Sequence, residues 1–186
     1  MAEADPNLKA PFFYWGGERR VAPIIWRLLG SDIQHYIEPF GGSLAVLLRR
    51  PTDHKVDQET VNDVDGLIVN VYRALKAAPD EVAKWADWPI MELDLTARHR
   101  WLIQTDRKAE LPKKLPSDPD FFDAQIAGWY IWGAASWFGS GFCEGEWFGP
   151  DDDRNRGGGQ QLPHWGRGIH RKSTSDIGAY FNLLSK

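Results

Sequence analysis

The residues best placed to do chemistry in this sequence are a glycine pair, Gly41-Gly42, and an acid, Asp63. A glycine turn directly after a strand lets the backbone approach a ligand closely, and an acid closing the next strand bonds ribose hydroxyls. Asp63 stands 22 residues beyond Gly41, a spacing that fits a bound nucleoside. The same residues also read as a plain turn and as an acid favoured by a helix N-terminus. A second group is basic: Arg154, Arg156, Arg167, Arg171 and Lys172 lie in a stretch, 154–175, that holds no acid. It is either an anion-binding face for nucleic acid or a solvated, glycine-rich loop. Other constellations carry less. His164 and His170, with the distant thiol of Cys143, do not assemble a metal ligand set. Ser43 lacks the Gly-x-Ser-x-Gly setting of a nucleophile, and Asp151-Asp152-Asp153 reads as a solvated loop.

These groups need elements to hold them. Residues 35–39 read as a strand that enters the turn at 40–43, after which 44–49 looks helical. Residues 59–62 give a second strand closed by Asp63. Asp65 then caps a helix in which Leu67, Ile68, Val71, Tyr72 and Leu75 recur at helical spacing. Upstream, 21–29 is a helix with Val21, Ile24, Ile25 and Leu28 on one stripe and Pro23 in its first turn. Downstream, 81–88 adds a turn or two, and 108–120, charged and broken by prolines, reads as a connector and the best internal boundary. That boundary separates 1–107 from 108–186. Residues 121–138 are apolar nearly all the way round, as in a helix buried in a core. Trp129, Trp132, Trp137 and Trp147 fall within or near it, so they serve either as core or as stacking platforms for bases. A long loop is expected over 139–168 and a short amphipathic helix over 176–186.

Composition sets outer limits. At 186 residues, 42% hydrophobic and 26% charged, the chain reads as globular rather than disordered. One cysteine excludes an internal disulfide, which points to a reducing compartment. No apolar run approaches the roughly 20 residues a bilayer needs, and the polar, acidic start is unlike a signal peptide. A cytoplasmic location without membrane contact is therefore expected. The net charge of −4 divides into −6 over 1–150 and +2 over 151–186. Bulk charge does not suit coating nucleic acid, because that affinity grows with the phosphates neutralised.

Read together, three blocks resemble the opening of the Dam-like DNA adenine methylases. They are Pro11-Phe12-Phe13-Tyr14-Trp15-Gly16-Gly17-Glu18-Arg19-Arg20, Tyr36-Ile37-Glu38-Pro39-Phe40-Gly41-Gly42-Ser43-Leu44-Ala45-Val46 and Thr60-Val61-Asn62-Asp63-Val64-Asp65. Residues 129–141 and 161–171 resemble, less distinctly, the target-recognition region of phage-encoded members. The resemblance implies an incomplete Rossmann-like α/β sheet, a methyltransferase-like core over 1–107, and a helical, tryptophan-rich target-recognition-like region over 108–186. It also implies S-adenosylmethionine as cofactor, held by Tyr14, Trp15, Gly17, Glu38, Phe40 and Gly41 with Asp63 on its ribose; the residues themselves give no reason to expect a metal. The methyl group would go to the exocyclic amine of a flipped-out adenine.

Two departures qualify that picture. The family usually has lysine after its first glycine pair, where Glu18 stands here. The family's catalytic motif, Asp/Asn/Ser-Pro-Pro-Tyr/Phe/Trp, does not occur, since none of the twelve prolines adjoins another. The nearest string, Asp118-Pro119-Asp120-Phe121, follows a Lys/Pro run rather than a strand. Activity from these residues alone is therefore not expected. The strands that would carry the motif normally lie against the first strand, leaving an edge to be covered by the aromatic region, by another copy or by a second chain. Two function classes follow. One is a truncated or split methylase acting on DNA. The other is a phage-encoded, non-enzymatic inhibitor of anti-CRISPR or anti-restriction type that uses the same scaffold to bind a nucleic-acid-binding protein complex.

Overall fold

The computed structural model describes residues 4–6, 8–14, 17–137 and 142–143. The expectations for 139–168 and 176–186 lie outside these, apart from Phe142 and Cys143. The architecture is mixed α/β, with a two-stranded parallel sheet and six α-helices among the described residues. The chain forms two compact units, 1–65 and 66–186.

In the first unit, α1 (Ala22–Leu29) carries Pro23 in its first turn, where a missing N–H breaks no helical bond. It ends at Gly30, whose φ of 86° suits glycine. Ala22 and Trp26, one helical turn apart, are buried. The Trp26 indole stacks on Tyr36 of β1 (Asp32–Glu38), with centroids 4.9 Å apart, and its N–H donates to the Val46 carbonyl at 2.7 Å. These residues form the unit's core, with Ile25, Ile33, Leu47 and Val56 packed around it. β2 (Lys55–Val61) runs parallel to β1, pairing His35 with Gln58 and Glu38 with Val61. Both strands begin earlier than their patterns suggest. Lys55, Asp57, Gln58, Glu59 and Thr60 are all exposed, so pairing with β1, not apolar alternation, orders that strand.

The helix expected over 44–49 shrinks to a single 3-10 turn at Leu47–Arg49. Leu44 has φ 53°, outside the helical region, and its N–H closes a tight turn onto the Gly41 carbonyl at 2.7 Å. The glycine turn thus runs into a compact loop, with Ala45 and Val46 buried, rather than into an α-helix.

The second unit is helical: α2 (Gly66–Ala77), α3 (Pro79–Ala86), α4 (Glu92–Ile103), α5 (Thr105–Ser117) and α6 (Ala124–Ser136). α2, α3 and α4 pack on α6, and α5 packs on α2. Gly128 permits the closest approach, since a Cβ there would stand 2.4 Å from the Trp85 Cβ on α3. The region expected as a connector, 108–120, instead lies largely within α5. Pro112 and Pro116 sit inside that helix, and burial of Leu111 and Leu115, one turn apart, outweighs their unfavourable propensity. Asn70, fully buried on α2, holds Asp123 by two bonds: its amide donates to the Asp123 carbonyl, and its oxygen accepts the Asp123 N–H. Asp123 in turn caps α6 through the Ile126 N–H. Trp132 is wholly buried, in keeping with a core helix.

Candidate functional site

The glycine turn owes its shape to three close approaches. A Cβ on Gly41 would stand 3.2 Å from the Asn62 carbonyl, so the turn lies directly against the end of β2. Gly41 N–H donates to that carbonyl at 2.8 Å. Gly42 has φ 50°, and a Cβ there would meet the Tyr14 ring at 2.7 Å. The aromatic segment before α1 is thereby laid over the turn. Asp63 then fixes the turn from the second strand: one carboxylate oxygen accepts the Gly42 N–H at 2.8 Å, and the other accepts the Asp65 N–H at 2.9 Å.

Around this knot lies a groove of about 660 Å³, within the range of small-molecule sites. It extends from Ile25 and Leu29 of α1 along β1 to the turn and to Asp63, Val64 and Asp65. Glu18, Glu38, Asp63 and Asp65 line it, and no lysine or arginine does among the described residues. Burial raises the Glu38 carboxyl above its ordinary value of 4.5, and the negative Glu18 adds to this. Hydrogen bonds from the Tyr36 hydroxyl, at 2.9 Å, and the Leu47 backbone N–H pull the other way. Burial likewise lifts the Tyr36 phenol above its ordinary range, so it stays a donor to Glu38. An acid-lined groove ending in a glycine turn suits a cationic ligand with a nucleoside part.

Of the residues singled out in the sequence, Tyr14, Gly17, Glu38, Phe40, Gly41 and Asp63 all line this groove. Trp15 lies outside the described residues, as do Arg154, Arg156, Arg167, Arg171 and Lys172. Phe40 is 84% exposed at the groove's rim. His35, Ile37, Val64 and Asp65 also line it and were not singled out as site residues. Position beside the turn in the second and third motif blocks was the available signal for Ile37 and Val64. Asp118-Pro119-Asp120-Phe121 belongs to the second unit, between α5 and α6, where the Asp118 side chain accepts the Asp120 N–H at 3.0 Å. No group of three or more His, Cys, Asp or Glu with metal-binding geometry occurs among the described residues.

Residues 14–93 match the model of the D12 class N6 adenine-specific DNA methyltransferases. Over this span the chain is DNA adenine methyltransferase-like. The span takes in every residue lining the groove. The chain is also similar to the Type II methyltransferase M1.LlaDCHI of Lactococcus lactis subsp. cremoris, at 32% identity over 77 residues. That alignment covers 41% of this chain and 25% of the relative, so the methyltransferase-like segment corresponds to about a quarter of that protein. No solved structure matches the chain. No helix among the described residues is long and apolar enough to cross a membrane.

Proposed function

We propose that residues 14–65 form the S-adenosylmethionine site of an incomplete, Rossmann-like DNA adenine methyltransferase, and that this chain alone does not complete methyl transfer. The observation that carries this reading is the Asp63–Gly42 bond, which brings the acid of the second strand onto the glycine turn of the first inside an acid-lined groove. The chain's residues suit the cofactor's parts unequally. Glu38, which accepts from the Tyr36 hydroxyl, suits a positive charge; Phe40 offers an exposed apolar ring for a purine; Asp63, each of whose oxygens accepts one backbone N–H, has further lone pairs with which to accept from ribose hydroxyls. Glu18, in the position where the family usually has lysine, offers no cation to the cofactor's carboxylate. Bound S-adenosylmethionine would supply the methyl group, and DNA is the substrate the family implies.

Incompleteness rests on the family's catalytic Pro-Pro-aromatic motif, which supplies the acceptors for the target amine in that family and does not occur in these 186 residues. A second reading, a binding protein that blocks a nucleic-acid complex, draws on the excess of acids over 1–150. Isothermal titration of the full chain with S-adenosylmethionine separates them: saturable heat supports the cofactor site, and no heat at millimolar cofactor overturns it.

A further inference from the structure

Trp26 on α1 is wholly buried, and a buried indole N–H needs an acceptor. The acceptor it finds is the Val46 carbonyl, at 2.7 Å. That carbonyl and the Leu47 N–H belong to one planar trans peptide group and point in opposite directions. The Leu47 N–H donates to the Glu38 side chain, so the indole grips one end of the peptide whose other end holds the carboxylate. The same indole lies on the Tyr36 ring, with centroids 4.9 Å apart and planes 21° from parallel. The Tyr36 hydroxyl is the second donor to Glu38, at 2.9 Å. Both donors converging on this half-buried acid of the groove therefore lead back to one side chain, which does not itself line the groove.

We infer that Trp26 is a positioning residue of the groove, holding the Glu38 carboxylate toward a positively charged ligand through the Leu47 N–H and the Tyr36 hydroxyl together. The identity of that ligand rests on the proposed cofactor site. An apolar ring of similar size would fill the same space among Ala22, Tyr36 and Val46, but it would lack the N–H. The Val46 carbonyl would then keep the Arg49 N–H at 3.0 Å, a bond that ties the 3-10 turn to itself and not to α1. Donors aimed at a carboxylate favour its charged form, and here they oppose burial and the negative charge of Glu18, which favour the neutral one. Tyr14, His35, Asp63 and Asp65 are the other titratable groups of the groove's lining, and His54, bonded to Asp53 at 2.9 Å, meets Trp26 edge-on. Neither donor to Glu38 comes from these groups.

The test replaces Trp26 in the full chain by benzothienylalanine, which keeps the shape and stacking of indole and carries sulfur in place of its N–H. The Glu38 carboxyl is followed by carbon-13 NMR without ligand, its signal assigned by its loss in Glu38→Gln. Expected is a titration midpoint about half a pH unit above native for the analogue, and about one unit above for Tyr36→Phe, which keeps the stacked ring and loses the hydroxyl. The two changes together should shift it further than either alone, with thermal unfolding still cooperative. The pH at which S-adenosylmethionine binding sets in should move in step, and neither change should alter binding when placed on Glu38→Gln. An analogue that titrates at the native midpoint would overturn the inference, as would a loss of binding that persists on Glu38→Gln, since that reports general damage to the unit. If the native chain binds no S-adenosylmethionine, the cofactor reading fails alone, and the NMR midpoints still decide whether Trp26 positions Glu38.

Discussion

Asp63 holds the Gly42 N–H at 2.8 Å from the end of the neighbouring strand, so the acid that reads as a ribose ligand is also the clasp of the glycine turn. Its other oxygen is engaged by the Asp65 N–H. Charge-assisted bonds of this kind contribute about 1.5–3 kcal/mol each. Asp63→Asn replaces one acceptor with an amide donor facing an N–H. We expect it to lower the stability of the first unit by about 2 kcal/mol in urea unfolding and to remove S-adenosylmethionine binding. Unchanged stability would show that the clasp is not formed.

Gly42 cannot accept a side chain for two separable reasons, its φ of 50° and the Tyr14 ring 2.7 Å from a built Cβ. Gly42→Ala should cost about 1–2 kcal/mol from backbone conformation and a further 1–3 kcal/mol from the clash. In a double-mutant cycle, Tyr14→Ala should recover the second part and not the first. Full recovery would mean that the turn adapts its backbone freely.

How far the sequence shows these features depends on what fixes each one. α6 was legible because Ile131 and Trp132 bury apolar side chains in a segment that is apolar all round. α1 was legible as a helix but not in its facing, since Val21, Ile24 and Leu28 of the stripe that marked it are exposed and Ala22 and Trp26 are the residues buried. The turn was legible because glycine is required wherever another backbone or ring crowds Cα. α4 was not, because Arg98 and His99 are buried on it, and polar residues facing inward erase the apolar stripe. α5 was hidden by its prolines and β2 by its polar surface, each ordered through tertiary contacts that leave no local signature. The groove's acids were visible singly; their convergence on one face of the turn required the strand pairing.

Glu38 sets an expected pH dependence. Its carboxyl is raised by burial, so the folded state holds its proton more tightly than the unfolded chain does. Its contribution to stability is therefore fully present below about 4.5 and is lost as pH rises through the higher folded value. Affinity for a cationic ligand runs the opposite way, growing over the same window as the carboxylate forms. Calorimetric titrations from pH 4 to 8 with sinefungin, a charged analogue, should show this rise, and Glu38→Gln should flatten it. A rise that persists in Glu38→Gln would assign the effect to another acid.

Glu18 lines the groove where the family usually has lysine, and it contributes to raising Glu38. Reversing its charge removes a repulsion from the cofactor's carboxylate and offers an ion pair worth up to about 1 kcal/mol at an exposed position. Glu18→Lys should therefore tighten S-adenosylmethionine by about fivefold, provided the carboxylate end lies on that side. Weaker binding would indicate that Glu18 faces the ammonium or the sulfonium instead.

In the second unit, Arg98 lies 4.4–5.0 Å from the ring centres of Trp88, Trp129 and Trp132, and its Nη1 is buried without a hydrogen-bond partner. Burial depresses its ionisation, partly offset by Asp94. Cation–π contacts offset part of the desolvation penalty, yet an unsatisfied buried donor remains. A side chain of similar length without charge keeps the packing and removes that penalty. Arg98→Met should therefore match or exceed the native melting temperature, whereas Arg98→Ala should lose about 2–3 kcal/mol by leaving space among the indoles. If Arg98→Met instead destabilises as much as Arg98→Ala, the guanidinium itself, and not its bulk, holds the three tryptophans in place.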